Sequence, residues 1–238
     1  MSGADAADPI IRLTGVAHTY GRHPALADLS FEIAKNEWVF ITGPSGAGKS
    51  TLLKLLYFGT KASTGAVFID GENPARLSPR RVALLRRKCG VIFQDYKLIP
   101  GRSVFANVAL VLEASGHRRR LIPQKVLSVL RLVGMDAHAA SLPPRLSGGE
   151  QQRIAVARAI VGDPKIILAD EPTGSLDEAS ARGVMDLLRA AHIRGTTVVI
   201  ATHDMRMIGE IGGRVLILDR GRLTRSVHVE KHYDRRAF

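Results

Sequence analysis

The chain has 238 residues, 45% hydrophobic, 24% charged and 5% aromatic, with a formal net charge of +12 and one cysteine. That length suits one large domain or a domain with a subdomain; the lone Cys89 excludes an internal disulfide and points to a reducing, cytoplasmic setting. No apolar run approaches the roughly 20 residues that span a bilayer, so a membrane role is expected to run through a partner.

Residues 1–9 carry acids and no apolar core, which reads as a short disordered tail, not a secretory signal. Alternation at Ile11, Leu13 and Val16, and again at Leu29, Phe31 and Ile33, predicts antiparallel strands. The continuous apolar run Trp38–Thr42 predicts a buried central strand. Leu52, Leu53, Leu55 and Leu56 then mark the apolar face of a helix that ends near Gly59. Ala66–Ile69 is a further strand closed by the turn Asp70-Gly71. Ser78-Pro79 opens a helix through Leu85, and Val91–Phe93 returns as a strand into Gln94. From Asp95 to Gly162 the pattern is helical, with candidates at Val104–Glu113, Pro123–Val133 and Gly149–Val161. Strands resume at Ile166–Ala169, Val198–Ala201 and Val215–Leu218, with a helix over Glu178–Ile193. The order describes an α/β core interrupted by a helical insert at about 95–162. Residues 10–224 form the domain, and 225–238 are a basic tail.

Two glycine-rich segments carry the chemistry. Gly43-Pro44-Ser45-Gly46-Ala47-Gly48-Lys49-Ser50-Thr51 fits the phosphate-binding spacing G-x-x-x-x-G-K-[ST]. Its glycines let consecutive amides turn toward a β-phosphate, Lys49 adds charge for the β/γ oxygens, and Ser50 offers a hydroxyl to Mg²⁺. Leu146-Ser147-Gly148-Gly149-Glu150 is a second such cradle, with glycines expected just ahead of a helix start. One triphosphate occupies both only if they close on it from opposite sides, which implies a sandwich between two chains. The strand Ile166–Ala169 ends in Asp170-Glu171. Neighbouring positions at a strand end point differently, so Asp170 is assigned to the metal and Glu171 to polarising the attacking water.

With these motifs in this order the chain resembles the ATP-binding cassette (ABC) ATPase family over nearly its whole length. Leu146–Arg153 matches that family's signature, which other P-loop ATPases lack. The resemblance implies a P-loop fold with a mixed sheet core, an N-terminal antiparallel β-subdomain and a helical insert. It implies that Tyr20 stacks on adenine, that Gln94 reaches Mg²⁺ and the water, and that His203 contacts the γ-phosphate. Ser175-Leu176-Asp177 would form a loop crossing the dimer seam, with Ser175 where Asn or Ala is more usual. ATP and Mg²⁺ are the expected ligands, hydrolysis the expected reaction, and a second copy of the chain the first expected partner.

Within that family, Phe93-Gln94-Asp95 followed by Leu98-Ile99 and Asn107-Val108-Ala109 is similar to the FtsE-type cell-division group. The partner then implied is an FtsX-like integral membrane protein, docked along Asp95–Val104 at the cytoplasmic face of the bacterial inner membrane. Closure on ATP would signal across the membrane to cell-wall hydrolases. The alternative is the ATPase of a lipoprotein-release or macrolide-type exporter, from which Asp95 is the main discriminator. The basic groups Arg80-Arg81, Arg86-Arg87-Lys88, Arg118-Arg119-Arg120, Lys231, Arg235 and Arg236 read as solvated faces or attraction to an anionic surface. A nucleic-acid clamp would need a long coiled-coil insert or a second cassette, so no nucleic-acid partner is expected.

Overall fold

The computed structural model describes residues 8–231, which divide into two compact units: the first holds everything up to Val82 and from Thr197 onward, the second Ala83–Thr196. In the first, β1 (Ile11–Tyr20), β2 (His23–Ile33) and β4 (Thr64–Ile69) form a three-stranded antiparallel sheet in the order β2-β1-β4. One face is the predicted apolar set: Ile11, Leu13, Val16, Leu29, Phe31 and Ile33 are all buried. The same unit holds β3 (Trp38–Thr42), which pairs in parallel with β7 (Thr197–Ala201) on one side and β8 (Gly213–Asp219) on the other. β3 is therefore the inner strand that its unbroken apolar run predicted, and Val39, Phe40 and Ile41 have no exposed surface. Helix α1 (Lys49–Leu56) leaves the end of β3 through the glycine loop and buries Leu52, Leu53, Leu55 and Leu56.

Two elements of this unit escaped the sequence. Helix α7 (Met205–Ile211) is only seven residues long, and its one signal is Asp204, whose carboxylate accepts from the Met207 amide at 3.0 Å. Strand β9 (Arg222–Val229) pairs antiparallel with β8. This corrects the expected tail boundary: residues 225–229 are strand, while the tail beyond 231, with His232, Tyr233, Arg235 and Arg236, lies outside the described residues. β9 is exposed along most of its length and Arg225 breaks its apolar alternation, so it lacks the pattern of a half-buried strand.

The chain passes between the units within helix α2 (Pro79–Arg86). In the second unit β5 (Cys89–Ile92) pairs in parallel with β6 (Ile166–Asp170). Between them in sequence run α3 (Val104–Ala114), α4 (Ile122–Leu132) and α5 (Gly148–Ile160), each within two residues of its predicted bounds. Helix α6 (Glu178–Ile193) follows β6. Helices α3 and α4 bury one stripe each, Val104, Val108 and Leu112 on α3 and Val126 and Leu130 on α4, whereas α5 is buried on most sides, at Ile154 through Ala157, Ala159 and Ile160. None of the helices among the described residues is long and apolar enough to cross a membrane.

Candidate nucleotide site

In the first unit the glycine loop is shaped by what surrounds it. Gly48, the residue before α1, has φ 102°, and a Cβ there would lie 2.7 Å from both the Ala25 carbonyl oxygen and Leu26 Cδ2. Gly43 has φ 142°, and a Cβ on it would overlap the Leu218 carbonyl oxygen. Only glycine satisfies both the left-handed backbone and the missing space. The loop is braced by the Ala47 amide donating to Pro44 O (3.1 Å) and the Gly221 amide to Ala47 O (3.0 Å). Lys49 Nζ donates to the carbonyls of Gly43 (2.8 Å) and Pro44 (3.1 Å), which holds its charge over the loop.

Helix α1 has no side-chain cap and no acidic residue in its first turn. The positive end of its dipole therefore meets no acidic side chain of its own first turn, which is the electrostatic setting for phosphate. Helices α3, α5, α6 and α7 are capped, by Ser103, Ser147, Asp177 and Asp204, whereas α4, with Pro123 in its first turn, lacks a side-chain cap as α1 does.

Tyr20 ends β1 with 45% of its surface exposed, its ring edge-on to His18 at 4.6 Å. His18 is itself buried and bonded to the Lys61 carbonyl at 2.8 Å, so the tyrosine is held by a fixed neighbour. An exposed ring at a strand end is free to stack on a base. His203 is exposed just after β7, in a turn tightened by the Asp204 amide donating to Thr202 Oγ1 at 3.1 Å.

The second unit holds the remaining candidates. Ser147 and Glu150 form a reciprocal capping box at the start of α5. The Ser147 amide and hydroxyl both donate to Glu150 Oε2 at 2.8 Å, and the Glu150 amide donates to Ser147 Oγ at 3.3 Å. Bonds from the Ser147 hydroxyl first, then its amide, hold the Glu150 carboxyl below the usual glutamate range. Gly148 and Gly149 lie in the first turn of α5, which starts one residue ahead of the expected Gly149. A side chain on Gly149 would meet Ser180 Oγ at 2.6 Å, and one on Gly148 the Tyr96 hydroxyl at 3.0 Å.

Asp170 closes β6, and Glu171 follows with φ 45°, a left-handed conformation rare for a non-glycine residue. Ser175 is exposed and Leu176 half-buried. Asp177 caps α6 by accepting from the Ser180 amide at 2.9 Å, and that bond is the leading reason its pKa is lowered.

Gln94 is exposed beyond β5, at the head of a turn in which Tyr96 and Lys97 both have positive φ, 59° and 49°. Three polar residues that brace the loops of this unit carried no site assignment from sequence. Arg158 of α5 donates to Lys97 O (2.5 Å) and Tyr96 O (2.6 Å), and burial lowers its pKa. Asn107, fully buried on α3, accepts from the Ile99 amide (2.8 Å) and donates to the carbonyls of Ile99, Arg102 and Ser103 (3.1, 2.9 and 3.1 Å). Gln152 of α5, also buried, donates to Pro172 O at 2.6 Å. Each is a polar residue within an otherwise apolar helix stripe, and that was the available signal.

A family model described as ABC transporter matches residues 26–174. Over 217 residues the chain is 43% identical to the cell division ATP-binding protein FtsE of Streptococcus pneumoniae serotype 2, covering 91% of this chain and 94% of that protein. It is 44% identical over 200 residues to the methionine import ATP-binding protein MetN of Carboxydothermus hydrogenoformans, spanning 84% of this chain but 59% of that protein. Among solved structures, the dimeric post-hydrolysis state of the ATP-binding cassette MJ0796 bound to ADP and Pi superposes with a TM-score of 0.85 at 33% identity. That match covers 93% of this chain and 100% of the other.

Proposed function

Because the chain belongs to the ABC transporter family, we propose that it is the ATP-hydrolysing subunit of a membrane complex that acts in cell division. Binding and hydrolysis of ATP come with that membership. The division role is carried by one observation, the 43% identity to FtsE over nearly the full length of both chains.

In this reading Gly43–Thr51 wraps the phosphates against the uncapped start of α1, and Tyr20 stacks on adenine. The fit to Mg²⁺ rests on donor chemistry: the Ser50 hydroxyl, the Gln94 side-chain carbonyl and the Asp170 carboxylate are all hard oxygen ligands, suited to Mg²⁺ beside phosphate oxygens. The metal would neutralise charge on the β- and γ-oxygens. Glu171 accepts a hydrogen bond from the attacking water, and His203 donates to the γ-phosphate. In-line attack then needs positioning and charge more than covalent chemistry.

Two copies meet head to tail, so that Leu146, Ser147, Gly148, Gly149 and Glu150 of one complete the ATP site of the other, with Ser175, Leu176 and Asp177 at the seam. The relative MJ0796 is dimeric with ADP and Pi, which supports this arrangement. The γ-phosphate links the two halves, and its loss on hydrolysis releases them. Docking of an FtsX-like integral membrane protein on Asp95–Val104 would place the complex at the cytoplasmic face of the plasma membrane. The closing clamp would then signal outward to cell-wall hydrolases. A transport role is the second reading, favoured by the 44% identity to MetN; the membrane protein that co-purifies with the chain separates the two.

The direct test of the chemistry is Glu171→Gln. We expect ATP hydrolysis to fall by about 10²-fold or more and an ATP-bound dimer to accumulate in gel filtration. Turnover equal to the parent's would remove Glu171 from its role.

A further inference from the structure

Glu171 occupies a left-handed backbone conformation at φ 45°. Such a conformation persists in a non-glycine residue only where the surroundings hold it. The turn it opens is closed by one long bond, Gly174 N to Glu171 O at 3.3 Å, and the next by Leu176 N to Thr173 O at 3.1 Å. Pro172 is the second residue of this turn, directly after Glu171; it has no N–H, so its carbonyl is the backbone group it offers for a hydrogen bond. That carbonyl accepts a 2.6 Å bond from Gln152 Nε2, which arrives from a different element, the signature helix α5.

Gln152 is 1% exposed, and its Oε1 has no hydrogen-bond partner among the described residues. A buried amide with half its capacity unmet is a poor choice for stability alone, since an apolar side chain of the same length would fill the space without that cost. What the amide does supply is one short, directed bond to the residue adjoining Glu171.

We infer that Gln152 is a positioning residue for ATP hydrolysis, holding the Glu171 turn through the Pro172 carbonyl so that the carboxylate meets the attacking water. The inference rests on Glu171 being the water-activating group. It makes α5 serve two sites: its first turn faces the nucleotide bound by the other copy, and its second turn orients the carboxylate of its own copy.

The experiment compares Gln152→Met, Gln152→Asn, Glu171→Gln and the Gln152→Met/Glu171→Gln double variant in the full chain. Methionine keeps the length and removes the donor; asparagine keeps the amide but falls one methylene short. Both are expected to lower kcat by about 10- to 100-fold, the scale of a misplacement near 1 Å, with KM for ATP within about twofold because substrate binding is untouched. Amide hydrogen exchange over residues 171–176 should quicken while that of 43–51 stays as in the parent. The double variant should form the ATP-bound dimer as readily as Glu171→Gln alone. Parental kcat in both Gln152 variants, with Glu171→Gln inactive, overturns the role of Gln152 alone. Loss of the ATP-bound dimer in the double variant also overturns it, by showing damage to the signature helix. Parental turnover in Glu171→Gln overturns the reading of Glu171 and this inference with it.

Discussion

Gly48 shows how much a single position carries. Its φ of 102° and the 2.7 Å approach of Ala25 O and Leu26 Cδ2 leave no room for a side chain, whereas Gly183, inside α6, has nothing within 4 Å of an added Cβ. Alanine at the two sites should therefore act in opposite directions. Gly48→Ala is expected to cost about 1–3 kcal/mol of stability through backbone strain and to weaken ATP binding. Gly183→Ala should stabilise the helix by roughly 0.5–1 kcal/mol, with ATP affinity unchanged. Thermal unfolding and nucleotide titration of the two variants check both signs. The glycine pattern alone placed the loop. That Gly48 is crowded by Ala25 and Leu26, some twenty positions earlier, was not in the pattern, because the approach of β2 to the loop is a product of folding.

At the scale of elements, α5 joins more of the candidate machinery than any motif in it implies. Its first turn is the signature, Gln152 reaches Pro172, and Arg158 holds the carbonyls of Tyr96 and Lys97. The Tyr96 hydroxyl in turn lies against Gly148. The loop after Gln94 is thus fastened to the signature helix from both sides, and Asn107 fixes the rest of that loop from α3. The capping box makes the start of α5 sensitive to acid. Because the folded-state pKa of Glu150 is depressed, its contribution is present above the unfolded value and lost as pH falls through the folded one. Ser147→Ala should cost about 1 kcal/mol at neutral pH. The gap between parent and variant should narrow in melts taken below the ordinary glutamate range, and an equal gap at both pH values would mean that the Glu150 carboxylate adds nothing. Helices α3 and α4 were legible because a 3.6-residue stripe is a local property, and α5 because an apolar run follows its glycine motif. Strand β9 and helix α7 were not: one is exposed on both faces and the other is too short to show a period.

For the whole molecule, the candidates divide between the two units. Tyr20, the glycine loop and His203 lie in the first; Gln94, the signature, Asp170, Glu171 and Ser175–Asp177 lie in the second. Nucleotide binding and partner docking are expected to be separable by mutation at exposed charges of the Asp95–Val104 segment. Asp95 and Lys97 form a 2.6 Å ion pair with both side chains 62% exposed, and a pair so open to solvent adds little to stability. Charge reversal at either, Asp95→Lys or Lys97→Glu, should leave melting and ATP affinity of the isolated chain unchanged while abolishing co-purification with its membrane protein. Loss of ATP binding in such a variant would place the loop in the nucleotide site instead.

The sequence by itself determined the family and the order of the strands and helices apart from α7 and β9, and it singled out the candidate phosphate-binding and acidic motifs. These depend on short-range facts: a period of two or 3.6, a glycine where φ is positive, an acid at the end of an apolar run. Only the tertiary structure decided that Gln152 grips Pro172, that Arg158 holds the turn behind Gln94, and that Asn107 organises the loop ahead of α3. The first two bonds join residues 20 and about 60 positions apart. A buried polar side chain announces in sequence that it needs a partner; which one it finds is set by where folding brings the distant backbone.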